Sequence, residues 1–154
     1  VLLFRNTGSV GVVGFDTKVV LDAGTGPQGI RIGDIDSDGL ADLAITNADG
    51  GGTSIRVLRN TSTSGTLSFV NSGNFTTGGG PYDLALGDLD GDGKLDIAAV
   101  SWSDKNVSVL LNTSTSGTVS FANKIDFAIG RFSQKIAIGD LNGDGKLDMV
   151  VTQS

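Results

Sequence analysis

Asp34-Ile35-Asp36-Ser37-Asp38-Gly39-Leu40-Ala41-Asp42 returns twice in altered form, as Asp88-Leu89-Asp90-Gly91-Asp92-Gly93-Lys94-Leu95-Asp96 and Asp140-Leu141-Asn142-Gly143-Asp144-Gly145-Lys146-Leu147-Asp148. Each version sets oxygen-bearing side chains at its positions 1, 3, 5 and 9. A glycine at position 6 permits the tight reversal that wraps one cation. Carboxylates packed this closely repel one another unless a divalent ion sits among them, because neighbouring like charges disfavour joint ionisation. The stretches therefore read as calcium loops; hairpins rich in Asp and Asn without a metal are the alternative.

Outward from the loops, the chain repeats. Asn60-Thr61-Ser62-Thr63-Ser64-Gly65-Thr66-Leu67-Ser68-Phe69 comes back 52 residues later as Asn112-Thr113-Ser114-Thr115-Ser116-Gly117-Thr118-Val119-Ser120-Phe121. Each acidic loop begins 28 residues after an asparagine, at Asn6, Asn60 and Asn112. A period near 50 built of short strands is the mark of propeller blades. Strands are expected at 30–35, 42–46, 54–59 and 67–75, then at 84–89, 96–100, 106–111 and 119–129, with the acidic loop as the hairpin between the first and second strand of each blade. Gly33, Gly87 and Gly139 stand just before the loops, either where a neighbouring backbone approaches or at a strand-end bulge. The copies are offset against the ends: 1–22 is a half blade with strands three and four, 23–76 and 77–129 are blades, and 130–154 is a half blade with strands one and two. The expected fold is all-β, a single propeller unit of about three blades of four antiparallel strands, completed to six blades by a homodimer or by further blades of a longer chain. The start at Val1 suggests a processed or excised segment.

Composition excludes much chemistry. The 154 residues contain no cysteine and no histidine, which removes thiol and histidine-based nucleophilic sites, Cys/His zinc sites and disulfides. All 17 acidic residues are aspartate, and 11 of them lie in the three loops, so three Ca²⁺ per chain would bring the net charge of -6 near neutrality. The acidic balance and the lack of a basic stripe argue against nucleic acid, and no apolar run approaches the roughly 20 residues of a spanning helix, so no membrane insertion is expected.

Position 12 of each loop falls on Ile45, Ala99 or Val151, where an EF-hand needs an acidic ligand. The nine-residue pattern D-x-[DN]-x-D-G-x-x-D resembles the FG-GAP and VCBS repeat family, the calcium-loop propeller blades also found in integrin α-subunits. The resemblance implies side-chain ligands Asp34, Asp36, Asp38 and Asp42; Asp88, Asp90, Asp92 and Asp96; and Asp140, Asn142, Asp144 and Asp148, with position-7 carbonyls from Leu40, Lys94 and Lys146. Phe-Gly and Gly-Ala-Pro signatures are missing, with Gly26-Pro27 and Gly80-Pro81 as weaker echoes, which favours a VCBS-like module over an integrin headpiece.

In such a blade the metal loops and the Asn-Thr-Ser-Thr-Ser-Gly turns share one face, leaving the opposite face as the working surface. It would carry Trp102, Asp104, Tyr82 and Arg131 as candidate ligand-binding residues, the aromatics stacking on a sugar or anchoring a protein; packing between adjacent blades is the alternative for Trp102, Tyr82, Arg131 and Phe132. Asp49, Asp83 and Asp104 lie outside the loops, but no spacing fixes a catalytic pair, so no enzyme is expected. Asn60, Asn74, Asn106 and Asn112 match the glycosylation acceptor pattern. The leading expectation is a calcium-binding, non-enzymatic binding or adhesion module, extracellular or at the cell surface. The alternatives are a carbohydrate-binding or accessory part of a secreted polysaccharide-active enzyme, and a self-assembling structural propeller fragment.

Overall fold

Twelve short strands account for the regular structure of the computed structural model, which describes residues 1–153. β1 (Leu2–Leu3) and β2 (Val19–Val20) form a two-stranded sheet. β3 (Pro27–Gly33), β4 (Asp42–Asn47), β5 (Ser54–Asn60) and β6 (Phe69–Thr76) form a four-stranded sheet in chain order. β7 (Pro81–Gly87), β8 (Asp96–Ser101), β9 (Asn106–Leu110) and β10 (Ile125–Ala128) repeat it, and β11 (Ile136–Gly139) with β12 (Asp148–Val151) makes a last pair. Every pairing is antiparallel, and the described residues contain no helix. In chain order, two four-stranded sheets are thus flanked by two two-stranded ones.

The sheets stack on one another through apolar residues that alternate along each strand. Ala44, Ile55 and Val57 of the first four-stranded sheet meet Leu84, Ile97 and Leu110 of the second. Ala98, Val100, Val107 and Val109 on the other face of the second sheet pack with Ile136 of β11. Leu43, Ile45 and Leu58 cover Val1 and Leu21 at the other end. β4 and β8, sandwiched on both faces, are buried at every residue, and each buried Val, Leu or Ile there contributes about 1.5–3 kcal/mol.

Strand limits differ most from the sequence expectation at the starts and ends of β3 and β7 and in the last strand of the second unit. β3 and β7 start at Pro27 and Pro81, with a register irregularity after each, because a proline is tolerated at the first residue of a strand or at a bulge. They also stop at the glycine before each loop, so Ile35 and Leu89 belong to the loops. The last strand of the second unit is only β10; residues 119–124 touch the sheet through the single bridge Asn112↔Phe121. The glycines before the first two loops have a packing reason, though not backbone approach. A Cβ on Gly33 would lie 2.8 Å from Leu95 Cδ1 and 2.9 Å from Leu86 Cδ1 of the next unit, and one on Gly87 2.8 Å from Leu147 Cδ1. Gly139 has no such neighbour.

Candidate metal centres

Each acidic loop is a hairpin connection whose ends are fixed by a strand pair: Gly33↔Asp42, Gly87↔Asp96 and Gly139↔Asp148. Backbone N–H groups hold the first and last carboxylates. Asp34 Oδ1 accepts from Asp38 N–H at 3.1 Å and its Oδ2 from Gly39 N–H at 2.9 Å. Asp88 accepts from Gly91, Asp92 and Gly93, and Asp140 from Gly143 and Gly145. Those donors, Gly145 first, hold the Asp140 carboxyl below the usual carboxylate range. The position-6 glycines have the left-handed backbone the loop requires, with φ of 89° at Gly39, 86° at Gly93 and 82° at Gly145. Position 4 is left-handed as well, at Gly91 and Gly143, and in the first loop Ser37 adopts it at φ 57°. The glycines at that position in two of the three copies were the available signal for this requirement.

The last carboxylate is the most buried part of the site. Asp42 Oδ2 accepts from Ile35 N–H at 2.9 Å and Oδ1 from Asn60 N–H at 2.8 Å; Asp96 accepts from Leu89 and Asn112, both at 2.8 Å. Burial nevertheless pushes both carboxyls up, helped by Asp36 and Asp38 in the first loop and by Asp90 and Asp92 in the second, against the opposing N–H donors. A divalent cation between the carboxylates removes that penalty.

Asp34, Asp36 and Asp42 offer oxygens within 4.8 Å of one another, and so do Asp88, Asp90 and Asp96. Two oxygens across one calcium stand roughly 4.6–5.2 Å apart, so both groups match the span of such an ion, and their all-oxygen donors are the hard ligands it takes. In the third loop Asn142 stands at position 3; its Oδ1 accepts from Asp144 N–H at 2.9 Å and its Nδ2 contacts Asp144 Oδ2 at 3.3 Å. That loop therefore brings one charge fewer. On titration of the calcium-loaded chain with chelator, the signals of residues 140–148 are expected to change first, and residue-resolved NMR showing them last would contradict this reading of ligand charge.

Sequence reasoning treated Asn60 and Asn112 as markers of the repeat, yet they hold the loops shut. Asn60 Nδ2 donates to Ala41 O at 2.9 Å, and Asn112 Nδ2 contacts both Leu95 O and Ile35 O at 2.8 Å, the latter in the preceding unit. The turn after Asn112 leans over that same neighbour, where Gly117 N–H donates to Asp36 Oδ2 at 2.9 Å. The acidic loops and these turns thus share one face, as expected. Arg59 was also missed: its guanidinium lies 4.0 Å from Asp36 and 3.5 Å from Asp38, so the first loop carries a resident cation at its rim.

Away from the metal loops, Trp102 stacks on Phe132 with ring centroids 4.5 Å apart and lies 6.1 Å from Tyr82, while Lys105 Nζ sits 4.6 Å from the Phe132 centroid. Phe132 belongs to the segment leading into β11, so the cluster bridges two successive units and realises the packing role while leaving its rim exposed. Asp104 Oδ2 accepts from Gly79 N–H at 2.8 Å, which employs it in holding two connections together; Arg131 is exposed. Of the four glycosylation-pattern asparagines, Asn106 and Asn112 are buried, Asn60 uses its amide on Ala41, and Asn74 is exposed.

Residues 35–99 and 98–151 match the sequence profile of the FG-GAP-like repeat. No curated protein matches the chain.

Proposed function

We propose, from the premise that this chain belongs to the FG-GAP-like repeat family, that it is a calcium-stabilised, propeller-type binding or adhesion module acting outside the cell without catalysing a reaction. Repeats of this kind are typically non-enzymatic and commonly extracellular. The observation that carries the calcium reading is the pair of carboxylate groups, Asp34, Asp36 and Asp42 and then Asp88, Asp90 and Asp96, gathered within the span of one ion. Asp38, Asp92, Asp140, Asn142, Asp144 and Asp148 complete the side-chain donors, with the position-7 carbonyls of Leu40, Lys94 and Lys146. The ion supplies positive charge that neutralises each loop and fixes its hairpin; it performs no chemistry on a substrate. Extracellular modules bind calcium at roughly 10⁻⁴ to 10⁻³ M, a range filled outside cells and empty in cytosol.

The binding surface in this reading is the face away from the metal loops, where Tyr82, Trp102 and Phe132 leave a partly exposed aromatic rim flanked by Lys105 and Arg131. Such a rim suits a glycan or a protein side-chain anchor. The test is a panel of immobilised glycans and extracellular proteins probed in calcium. The expected result is selective binding without turnover that falls at least about tenfold in Trp102→Ala, the loss of one anchor contact. Cleavage of a glycan in the panel, or binding untouched by Trp102→Ala, would contradict it.

A further inference from the structure

We propose that Arg59 is a tethered counter-ion that competes with calcium for the first acidic loop. It holds the carboxylates of that loop together when calcium is scarce, and it lowers the loop's affinity below what four aspartates would give. This role rests on the calcium reading proposed above and adds a graded response to it, because the loops of one chain then fill at different calcium concentrations.

Strand alternation puts Arg59 where it is. Ile55, Val57 and Arg59 lie on one face of β5, and the first two are fully buried in the core shared with the next unit. Arg59 continues that row to the end of the strand, where it meets the first loop. Its Nε lies 4.0 Å from Asp36 Oδ2, the same oxygen that accepts from Gly117 N–H of the next unit, and its Nη1 lies 3.5 Å from Asp38 Oδ2. These separations exceed those of the fork hydrogen bonds that would fix both carboxylates rigidly, so the guanidinium acts mainly through its charge. The Arg59 side chain is 23% exposed and that of Asp36 0%, which leaves the interaction less screened than an ion pair in open solvent.

The second unit shows the same position without a charge. The pairs Leu43↔Leu58 and Ile97↔Leu110 make Leu111 the counterpart of Arg59, and Leu111 packs with Leu89 against the cluster that contains Ala98, Val107 and Val109. A leucine is therefore compatible with the fold there, and the strand itself does not require the arginine. The second loop has a cation of its own in Lys94, whose Nζ lies 3.9 Å from Asp92 Oδ2. Both of those side chains are more than a third exposed, so water and salt weaken that pair. The third loop loses charge by another route, through Asn142 at position 3.

Magnitudes decide that this charge matters. Carboxylate oxygens hold calcium at roughly 2.3–2.6 Å, so an ion bound through Asp36 and Asp38 lies within roughly 6–7 Å of the guanidinium. At that separation a divalent ion and a unit positive charge repel by enough to change affinity about tenfold even at the dielectric of water. Partial burial enlarges the effect and dissolved salt reduces it. When calcium is scarce the same guanidinium offsets one of four negative charges, among them the buried Asp36, whose ionised form needs a compensating partner. The expected order of filling is the second loop, then the first, then the third.

Residue-resolved NMR during calcium titration of the wild-type chain, Arg59→Leu and Arg59→Gln tests this, with thermal midpoints in calcium and in chelator as a second readout. In both variants the signals of residues 34–42 are expected to saturate at about tenfold lower calcium, while those of 88–96 and 140–148 keep their wild-type midpoints. In chelator both variants should melt below the wild type, and calcium should raise their melting points by more than it raises that of the wild type. A first loop that fills in the variants at the wild-type concentration or a higher one overturns the proposal, because Arg59 would then only orient the carboxylates or pack against them. Variants that melt no lower than the wild type in chelator overturn it too. The calcium reading fails in a different way, as the absence of a saturable calcium response in every loop of the wild type and the variants, and that outcome overturns both.

Discussion

Chelating calcium is expected to lower the thermal midpoint of this chain by on the order of 10–30 °C. Ligand that binds only the folded state stabilises it by RT ln(1 + [L]/Kd), which for an extracellular-type site in about 10 mM calcium is roughly 1.4–2.7 kcal/mol. Three such sites sum to roughly 4–8 kcal/mol, and a domain of this size shifts by about 2–4 °C for each kcal/mol. The structure adds a reason for the chain to need the ion: Asp42 and Asp96 are buried next to other carboxylates of their loops, and their N–H donors do not offset that burial. Differential scanning calorimetry with calcium and with excess EGTA reads the effect directly. Coincident transitions would contradict it, and a shift reproduced by magnesium alone would contradict the assignment to calcium.

The second large effect is expected at Asn112. Replacing it with alanine removes the amide that serves Leu95 O and Ile35 O and the oxygen that accepts from Ser114 N–H, with the bonds to Ile35 and Ser114 buried and that to Leu95 partly so. Leaving buried carbonyls without a donor costs about 1–3 kcal/mol each, so Asn112→Ala should destabilise the fold by roughly 2–4 kcal/mol, measured as a lowered urea midpoint. Asn6→Ala provides the contrast. Asn6 occupies the equivalent place in the repeat but among the described residues only accepts from Gly8 N–H, so its loss should cost no more than about 1 kcal/mol. Equal effects at the two positions would mean that the asparagine acts through its own turn and not through the loops it ties down.

Much of this architecture was legible because the repeat imposes the same local chemistry three times. The Asp-rich nonapeptide with glycine at position 6 fixes a hairpin wherever it occurs, and the spacing to the preceding asparagine fixes which strand returns beside it. What stayed hidden depends on contacts between units, which a single repeat does not contain. Gly33 looked like a place for backbone approach or a strand-end bulge, but the space it leaves is taken by Leu86 and Leu95 of the next unit. Residues 119–124 have the composition of a strand, yet Val119 and Phe121 are spent on the core shared with the preceding sheet, and pairing resumes only at Ile125. The burial of Asp36 under Gly117 likewise comes from the next unit, whereas the approach of Arg59 comes from another strand of the same unit. Trp102 and Tyr82 were singled out by rarity, with Phe132 named beside them for packing between blades; the structure adds that Phe132 stacks on Trp102 itself.

Isothermal titration calorimetry of metal-free chain with calcium, paired with metal analysis of the saturated protein, bears most directly on the claim that the acidic loops are calcium sites. Three ions per chain are predicted at millimolar calcium, with the weakest belonging to the loop that contains Asn142 and with Asp92→Ala impairing the second site most. Fewer than two ions per chain under those conditions would contradict the account.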